Sequence, residues 1–301
     1  MPLFKTPILF LIFNRPENTL EVFNEIKRIK PAKLYISADG PRLNNKEDLK
    51  KCELTKKIFD TIDWNCEVKT NFREVNFGCK LAVSSGISWF FEHEEMGIIL
   101  EDDCLPNRSF FIFCEIMLHK YQNDTRIMHI GGTNFQLYKK KLEKSYYFSK
   151  LIHVWGWATW KRAWDLYDIE MNNLEEFKNE EIIKSIFSNA KDQNYWIDTL
   201  VNVKKNKIDT WDFMWVFSVW KNNGLSIIPH RNLIKNIGFG PDATHTTKEN
   251  TIFSKIHQFE LPQPFIDPQL VVPDLKLDSY TNALEKRGST IKSFLNFLKN
   301  H

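Results

Sequence analysis

A continuous apolar run over residues 8–13 breaks off at Asn14-Arg15-Pro16, after which Leu20, Phe23, Ile26 and Ile29 recur at helical spacing. An unbroken apolar run reads as a strand covered on both faces, and the three-to-four spacing reads as a helix packed on it. The pattern repeats. A strand at 33–38 precedes a Lys-rich helical stretch from about 46 to 62, one at 66–73 precedes a helix from about 79 to 93, and one at 96–100 precedes a helix from about 109 to 121. Such strand-helix alternation predicts an α/β domain with an open, mainly parallel sheet flanked by helices.

The alternation ends after a short strand at 126–130 and the loop Gly131-Gly132-Thr133-Asn134, and Trp-rich and Lys/Asn-rich helical segments follow. Ligands in open α/β sheets sit outside the carboxyl ends of the strands, so the later half is expected to form the second wall of a cleft there. The expected organisation is one domain over 1–250, with halves 1–130 and 131–250. Residues 251–301 are expected to hold a stiff connector built on Pro262, Pro264, Pro268 and Pro273. They end in an amphipathic helix capped by Ser289, with Ile291, Phe294, Leu295 and Leu298 on one face.

Composition changes this picture little. The 41 basic and 38 acidic residues nearly cancel, so charge does not call for a nucleic-acid partner. Five cysteines without a C-x-x-C pair argue against a zinc site or a disulfide framework and favour a reducing, cytoplasmic setting. Ten Trp and twenty-four Phe suit either a full core or a site that stacks on flat ligand faces. There is no G-x-x-x-x-G-K-[ST], no third glycine after Gly238-Phe239-Gly240, no G-x-S-x-G and no H-E-x-x-H, which sets aside P-loop, dinucleotide-binding, serine-hydrolase and zincin readings.

The sharpest chemical feature is Glu101-Asp102-Asp103, directly after the strand at 96–100. Adjacent carboxylates repel, and a hard divalent cation, Mg²⁺ or Mn²⁺, offsets that repulsion while gripping a diphosphate. The other strands finish in polar residues on the same rim: Asn14 and Arg15 after the first, Asp39 after the second, Arg73 and Lys80 flanking the exit of the third. An acidic Asp39 suits the donor groups of a base or ribose, and the cations suit phosphates.

These residues resemble the nucleotide-diphospho-sugar transferases of the glycosyltransferase A fold, in particular the N-acetylglucosaminyltransferase I type and its bacterial relatives. The stretch ending at Arg15 is similar to that family's first strand with its phosphate-reaching Arg, and Ser37-Ala38-Asp39 to its base-recognising motif. Glu101-Asp102-Asp103 resembles its acidic motif, which implies Asp103 as the metal ligand with Glu101 and Asp102 facing ribose and sugar. Gly156-Trp157-Ala158-Thr159, followed by Trp164, resembles the segment beneath the donor sugar. Trp211-Asp212 resembles the pair carrying the catalytic base, with Asp209 as substitute. The loop from Gly240 to Thr246 loosely resembles the one over the diphosphate and implies His245 as a second metal residue.

The resemblance implies an inverting, metal-dependent glycosyltransferase that uses a nucleotide-sugar donor, a UDP-sugar such as UDP-GlcNAc favoured, and a glycan or lipid-linked acceptor. Two other readings stay open: a metal-dependent nucleotidyl or phosphoryl transferase, for which carboxylates and a basic rim serve equally, and a non-catalytic carbohydrate-binding relative. The terminal helix, with Lys286, Arg287, Lys292 and Lys299 beside its apolar face, suits either packing on the domain or a peripheral contact with an anionic membrane.

Overall fold

The computed structural model describes residues 3–136, 143–179, 182–239 and 253–286. The first half runs β1 (Ile8–Ile12), α1 (Pro16–Ile29), β2 (Lys33–Ala38), α2 (Lys46–Lys57), β3 (Glu67–Phe72), α3 (Gly78–Phe91), β4 (Met96–Glu101), β5 (Cys104–Pro106), α4 (Arg108–Lys120) and β6 (Ile127–Gly131). The second half runs β7 (Tyr146–Ser149), β8 (Trp157–Trp160), α5 (Lys161–Trp164), α6 (Leu174–Asn179), α7 (Ile182–Ile186), α8 (Ala190–Lys204), α9 (Asp212–Lys221), β9 (Leu225–Pro229), β10 (Ile234–Asn236) and α10 (Leu275–Lys286). No described helix is long and apolar enough to cross a membrane.

The sheet has the order β3-β2-β1-β4-β8-β6-β9-β7, with β8 and β7 running against the rest. It is the open, mainly parallel, helix-flanked sheet expected of the chain. Strands β1 and β4 sit centrally because their apolar runs tolerate cover on both faces. β3, with Glu67 and Lys69, alternates toward solvent and takes an edge. Alternation along β1 sorts its side chains into two layers: Ile8, Phe10 and Ile12 pack with α1 and α4, while Leu9 and Leu11 pack with α3 and the tryptophan-rich helices. Helix starts are fixed locally, as where the Asn45 side chain accepts from Glu47 N and Asp48 N to begin α2.

Two expectations are corrected. The Trp157–Trp160 segment, expected among helical segments, is strand β8, inserted between β4 and β6 with all four residues buried. The Pro-rich stretch does not stand off as a connector. Ser145 and Ile266 exchange hydrogen bonds, Tyr146 donates to Asp267, and Phe148 pairs with Pro273, so the stretch covers the edge strand β7. It then delivers α10 onto the domain. The helix expected from Ser289 lies outside the described residues.

Candidate active site

Parallel pairing of β1 with β2 and β4 puts their carboxyl ends on one rim, with Leu11 opposite Glu101. The turn Asp102-Asp103 then joins β4 to β5 beside the exit of β1. Asp102 Oδ2 accepts from Phe13 N at 3.2 Å, and Arg15 Nη1 lies 3.3 Å from Asp102 Oδ1 and 2.8 Å from Asp103 Oδ2. Arg15 is the residue before α1, and Pro16, whose missing N–H costs a helix start nothing, begins the helix there. Gly238 closes the other side, its own backbone packed on the Asp103 side chain, and Ile237 N donates to Asp103 O at 2.8 Å.

The electrostatics of this turn are those of crowded negative charge. Burial pushes the Glu101 carboxyl well above the usual range, and the charges of Asp103, Asp102 and Asp212 push it further, against Arg15. Burial likewise raises Asp102, with Arg15 opposing and Asp103 adding. Burial works against the charge of Arg15, but Asp102, Asp103 and Glu101 hold its pKa above the ordinary value. The Cys79 thiol on α3 is raised by burial and then by Glu101, Asp212, Asp209 and Asp103. Five carboxylates from two separate segments of the chain, 101–103 and 209–212, therefore share one field. Among the described residues, no group of three or more His, Cys, Asp or Glu side chains is arranged to cage a metal ion.

A cleft of about 230 Å³ opens beside this cluster, lined by Phe13, Asp39, Arg42, Asn76, Glu101 and Asp209 among others. The structure gives Asp39 a different employment from the one expected. Its Oδ1 accepts from Gly40 N and Phe77 N, and its Oδ2 from Asn76 Nδ2 and Gly78 N. A carboxylate has about four lone-pair sites, so Asp39 is occupied in holding the β3–α3 loop against the cleft. Burial raises its pKa although those backbone bonds and Arg73 pull it down. Asn14 donates to Asp48 Oδ1 at 2.7 Å, and Arg42 forks onto the same carboxylate while its guanidinium lies 5.7 Å from the Phe13 ring. Arg73 donates to Ser85 Oγ at 2.7 Å and lies over Phe77, and Lys80 reaches Asn206. Neither lines the cleft. Arg42 and Asn76 do line it and were missed; position was the available signal, since Arg42 follows Asp39-Gly40-Pro41 at the end of β2.

Trp157 was expected under the sugar, but it is 0% exposed, stacked between His129 at 5.1 Å and Trp211 at 5.7 Å. Its ring faces are spent on the core, because β8 has helices packed on the face from which Trp157 projects. What the stack does is set the base of α9. Trp211 precedes that helix, and Tyr167 Oη donates to its carbonyl. Asp212 is therefore the first residue of α9, where the helix N-terminus favours negative charge. Its Oδ1 accepts from Thr210 Oγ1 and, at 2.8 Å, from Phe213 N. Asp212 is half-buried, whereas Asp209 is exposed. Asp212 also lines a second cavity of about 270 Å³, which shares no lining residue with the first. His245 lies outside the described residues.

No family model matches the chain, and no curated protein matches it. Solved structures do. A 4-diphosphocytidyl-2C-methyl-D-erythritol synthase from Anaerococcus prevotii aligns over 54% of this chain and 75% of its own at 9% identity, with a TM-score of 0.35. HddC from Yersinia pseudotuberculosis aligns over 52% and 77% at 7% identity, with a TM-score of 0.31. Residues 1–349 of TarS from S. aureus align over 72% and 71% at 9% identity, with a TM-score of 0.39.

Proposed function

We propose that the chain is an inverting, metal-dependent glycosyltransferase. Its donor is a nucleoside diphosphate sugar, a UDP-sugar favoured, and its acceptor is a hydroxyl of a glycan or lipid-linked glycan. The observation that carries the reading is the convergence of Glu101, Asp103, Asp209 and Asp212 in one field at the carboxyl rim of β1 and β4, with Arg15 ion-paired to Asp102 and Asp103.

The residues fit a divalent cation. Their mutual repulsion is what such an ion relieves, and a hard cation of the Mg²⁺ type needs only one or two carboxylates when phosphates and water complete its shell. Asp103 would hold it, and when bound it supplies Lewis-acid stabilisation of the departing nucleoside diphosphate. Arg15 holds the acidic turn in place and offers a guanidinium to phosphate oxygens. Asp39 fixes the loop that carries Asn76 against the cleft, and Arg42 offers the cleft a stacking plane over Phe13. Asp212, with Oδ1 anchored by two donors, keeps Oδ2 to take the proton of the attacking acceptor hydroxyl. Nucleotidyl transfer would use the same turn. Asp212 favours sugar transfer, because an attacking hydroxyl needs a base to take its proton, whereas a phosphate nucleophile in nucleotidyl transfer is already ionised at neutral pH, and Asp212 lines a second cavity where an acceptor can lie.

Titration calorimetry of UDP with Mn²⁺ and with a chelator tests the reading. Binding that requires the cation is expected, and product analysis by NMR should show an inverted anomeric centre. Equal UDP affinity with the chelator, or a retained configuration, would refute it.

A further inference from the structure

We propose that α10 completes the acceptor subsite: the second cavity holds one uncharged sugar ring of the acceptor, and Glu285 is a specificity-determining residue that binds its hydroxyls. This rests on the transferase reading above and extends it to a helix that reading does not use.

The hydrogen bonds that tie α10 down converge on this end of the molecule. Asp278 accepts from Ser149 Oγ at 2.5 Å and from Lys150 N at 2.9 Å. Gln136 Nε2 donates to Leu277 O and to Thr281 Oγ1, and Trp196 Nε1 donates to Asn282 Oδ1 at 2.8 Å in a fully buried contact. Lys286 pairs with Asp192. Held at these points, α10 presents Glu285 to the cavity, where Oε1 lies 3.2 Å from His153 Nδ1 and about a quarter of the side chain remains open.

Asp212, the base of the reading above, is one of the walls of this cavity, so a ring held there lies beside the group that would take its proton. Its other walls include Phe135, Trp155, Tyr195 and Phe213. Phe135 meets His153 edge-on at 4.6 Å and Trp155 at 5.4 Å, so the aromatic faces are rigidly set. A pyranose has an apolar C–H face and a rim of hydroxyls, and rings facing a few carboxyl oxygens match both. The volume, about 270 Å³, lies just under the ~300 Å³ at which sites for drug-sized ligands begin, which suits a single ring. Among the described residues the lining has no Lys or Arg, and the Lys286 ammonium over the Tyr195 ring is already paired with Asp192, so a uronate or phosphorylated sugar meets the Asp212 carboxylate with no free cation in the lining to relieve it. Burial pushes the Glu285 carboxyl up to about 8 and His153 down to about 3, so the pair enters the cavity as neutral donor and acceptor.

Methyl glucoside, methyl N-acetylglucosaminide and methyl glucuronide, each titrated to about 0.1 M so that even a ~10 mM site is filled, test the assignment by tryptophan fluorescence and thermal shift. The neutral glycosides are expected to bind, Glu285→Ala and Tyr195→Ala to weaken them at least about tenfold, and Glu285→Gln, which can still donate to His153, to retain most of the affinity. The glucuronide is expected not to bind. Glycosides that do not bind, equal binding by folded Glu285→Ala, or glucuronide binding as tight as that of the neutral sugars each overturn it. Should Glu285→Ala not fold, Tyr195→Ala at an exposed ring decides. UDP with Mn²⁺, titrated separately, keeps the two readings apart: UDP binding without glycoside binding refutes the subsite alone, and glycoside binding without UDP binding refutes the transferase.

Discussion

Replacing Gly238 by Ala probes the acidic turn from outside it. A Cβ at that position would stand 2.3 Å from Asp103 Oδ2, 2.7 Å from its Cβ and 2.8 Å from its Cγ, where ordinary contact begins at 3.4 Å. Rotating the carboxylate away relieves only the first of these. Relieving all three needs a shift of about 1 Å in the Asp103 side chain, and the Ile237 N to Asp103 O bond together with the Asn236–Cys104 pairing resists a backbone route. A cation–carboxylate bond of about 2.1 Å does not survive a 1 Å displacement, and misplacement of that size costs about 10²-fold. At 1.36 kcal/mol per tenfold this is about 2.7 kcal/mol. Calorimetric titration of UDP with Mn²⁺ should therefore show a loss of about two orders of magnitude in the cation-dependent affinity, while titration in chelator stays as in the wild type and urea denaturation shows a folded protein less stable by about 1–3 kcal/mol from the clash itself. A folded Gly238→Ala protein that keeps the full Mn²⁺-dependent gain would refute the assignment of Asp103.

Asp212→Asn keeps the shape and the Thr210 and Phe213 contacts of the side chain but removes the proton acceptor, so single-turnover transfer should slow by about 10² to 10⁴ with UDP affinity intact; wild-type turnover would move the base to Asp209 or Glu101. Glu285 has a raised folded pKa, from 4.5 to about 8, so the stability it carries is present in acid and lost as pH rises toward 8, while the opposite contribution of His153, lowered from 6.5 to about 3, is complete above 6.5. Between pH 6.5 and 8 the wild type should lose about 1 kcal/mol relative to Glu285→Gln in urea denaturation, after a discount for partial exposure; parallel pH profiles would contradict this. Gly156→Ala combines a φ of +60° with a Cβ 2.4 Å from Ile234 Cδ1, and should cost about 2–4 kcal/mol by the same measurement; a variant as stable as the wild type would show that the β8 entry relaxes freely.

What the sequence disclosed and what it hid follow from how far each signal reaches. The runs at 8–13 and 96–100 carry their own burial, so β1 and β4 and the carboxylates after β4 could be placed from local pattern alone. Asp212 was singled out through its Trp211 neighbour, which the structure places directly before α9. Trp157 was misplaced because Trp-Ala-Thr-Trp does not say which layer will cover which face; that is decided by Trp211 and His129, both remote in sequence. Asp39 was legible as polar and at a strand end, but not as saturated, since the donors that fill it come from the β3–α3 loop. Glu285 was invisible because His153, which pairs with it, meets it through the docking of α10, and the prolines before that helix suggested a connector where the structure shows an edge strand being covered.

Strand β8 has a consequence for how this chain can be cut. It arrives from the second half, lies between β4 and β6 of the first, and pairs with both. A fragment ending near residue 136 would keep β1 to β4 but leave β4 with an open edge and β6 with no partner on either side, since β9 also comes later. Each half is thus the missing strand of the other. Co-expressed fragments split in the 137–142 stretch should be recovered as one complex and not as two soluble pieces, and the shared sheet means that the two halves cannot swing apart as rigid lobes.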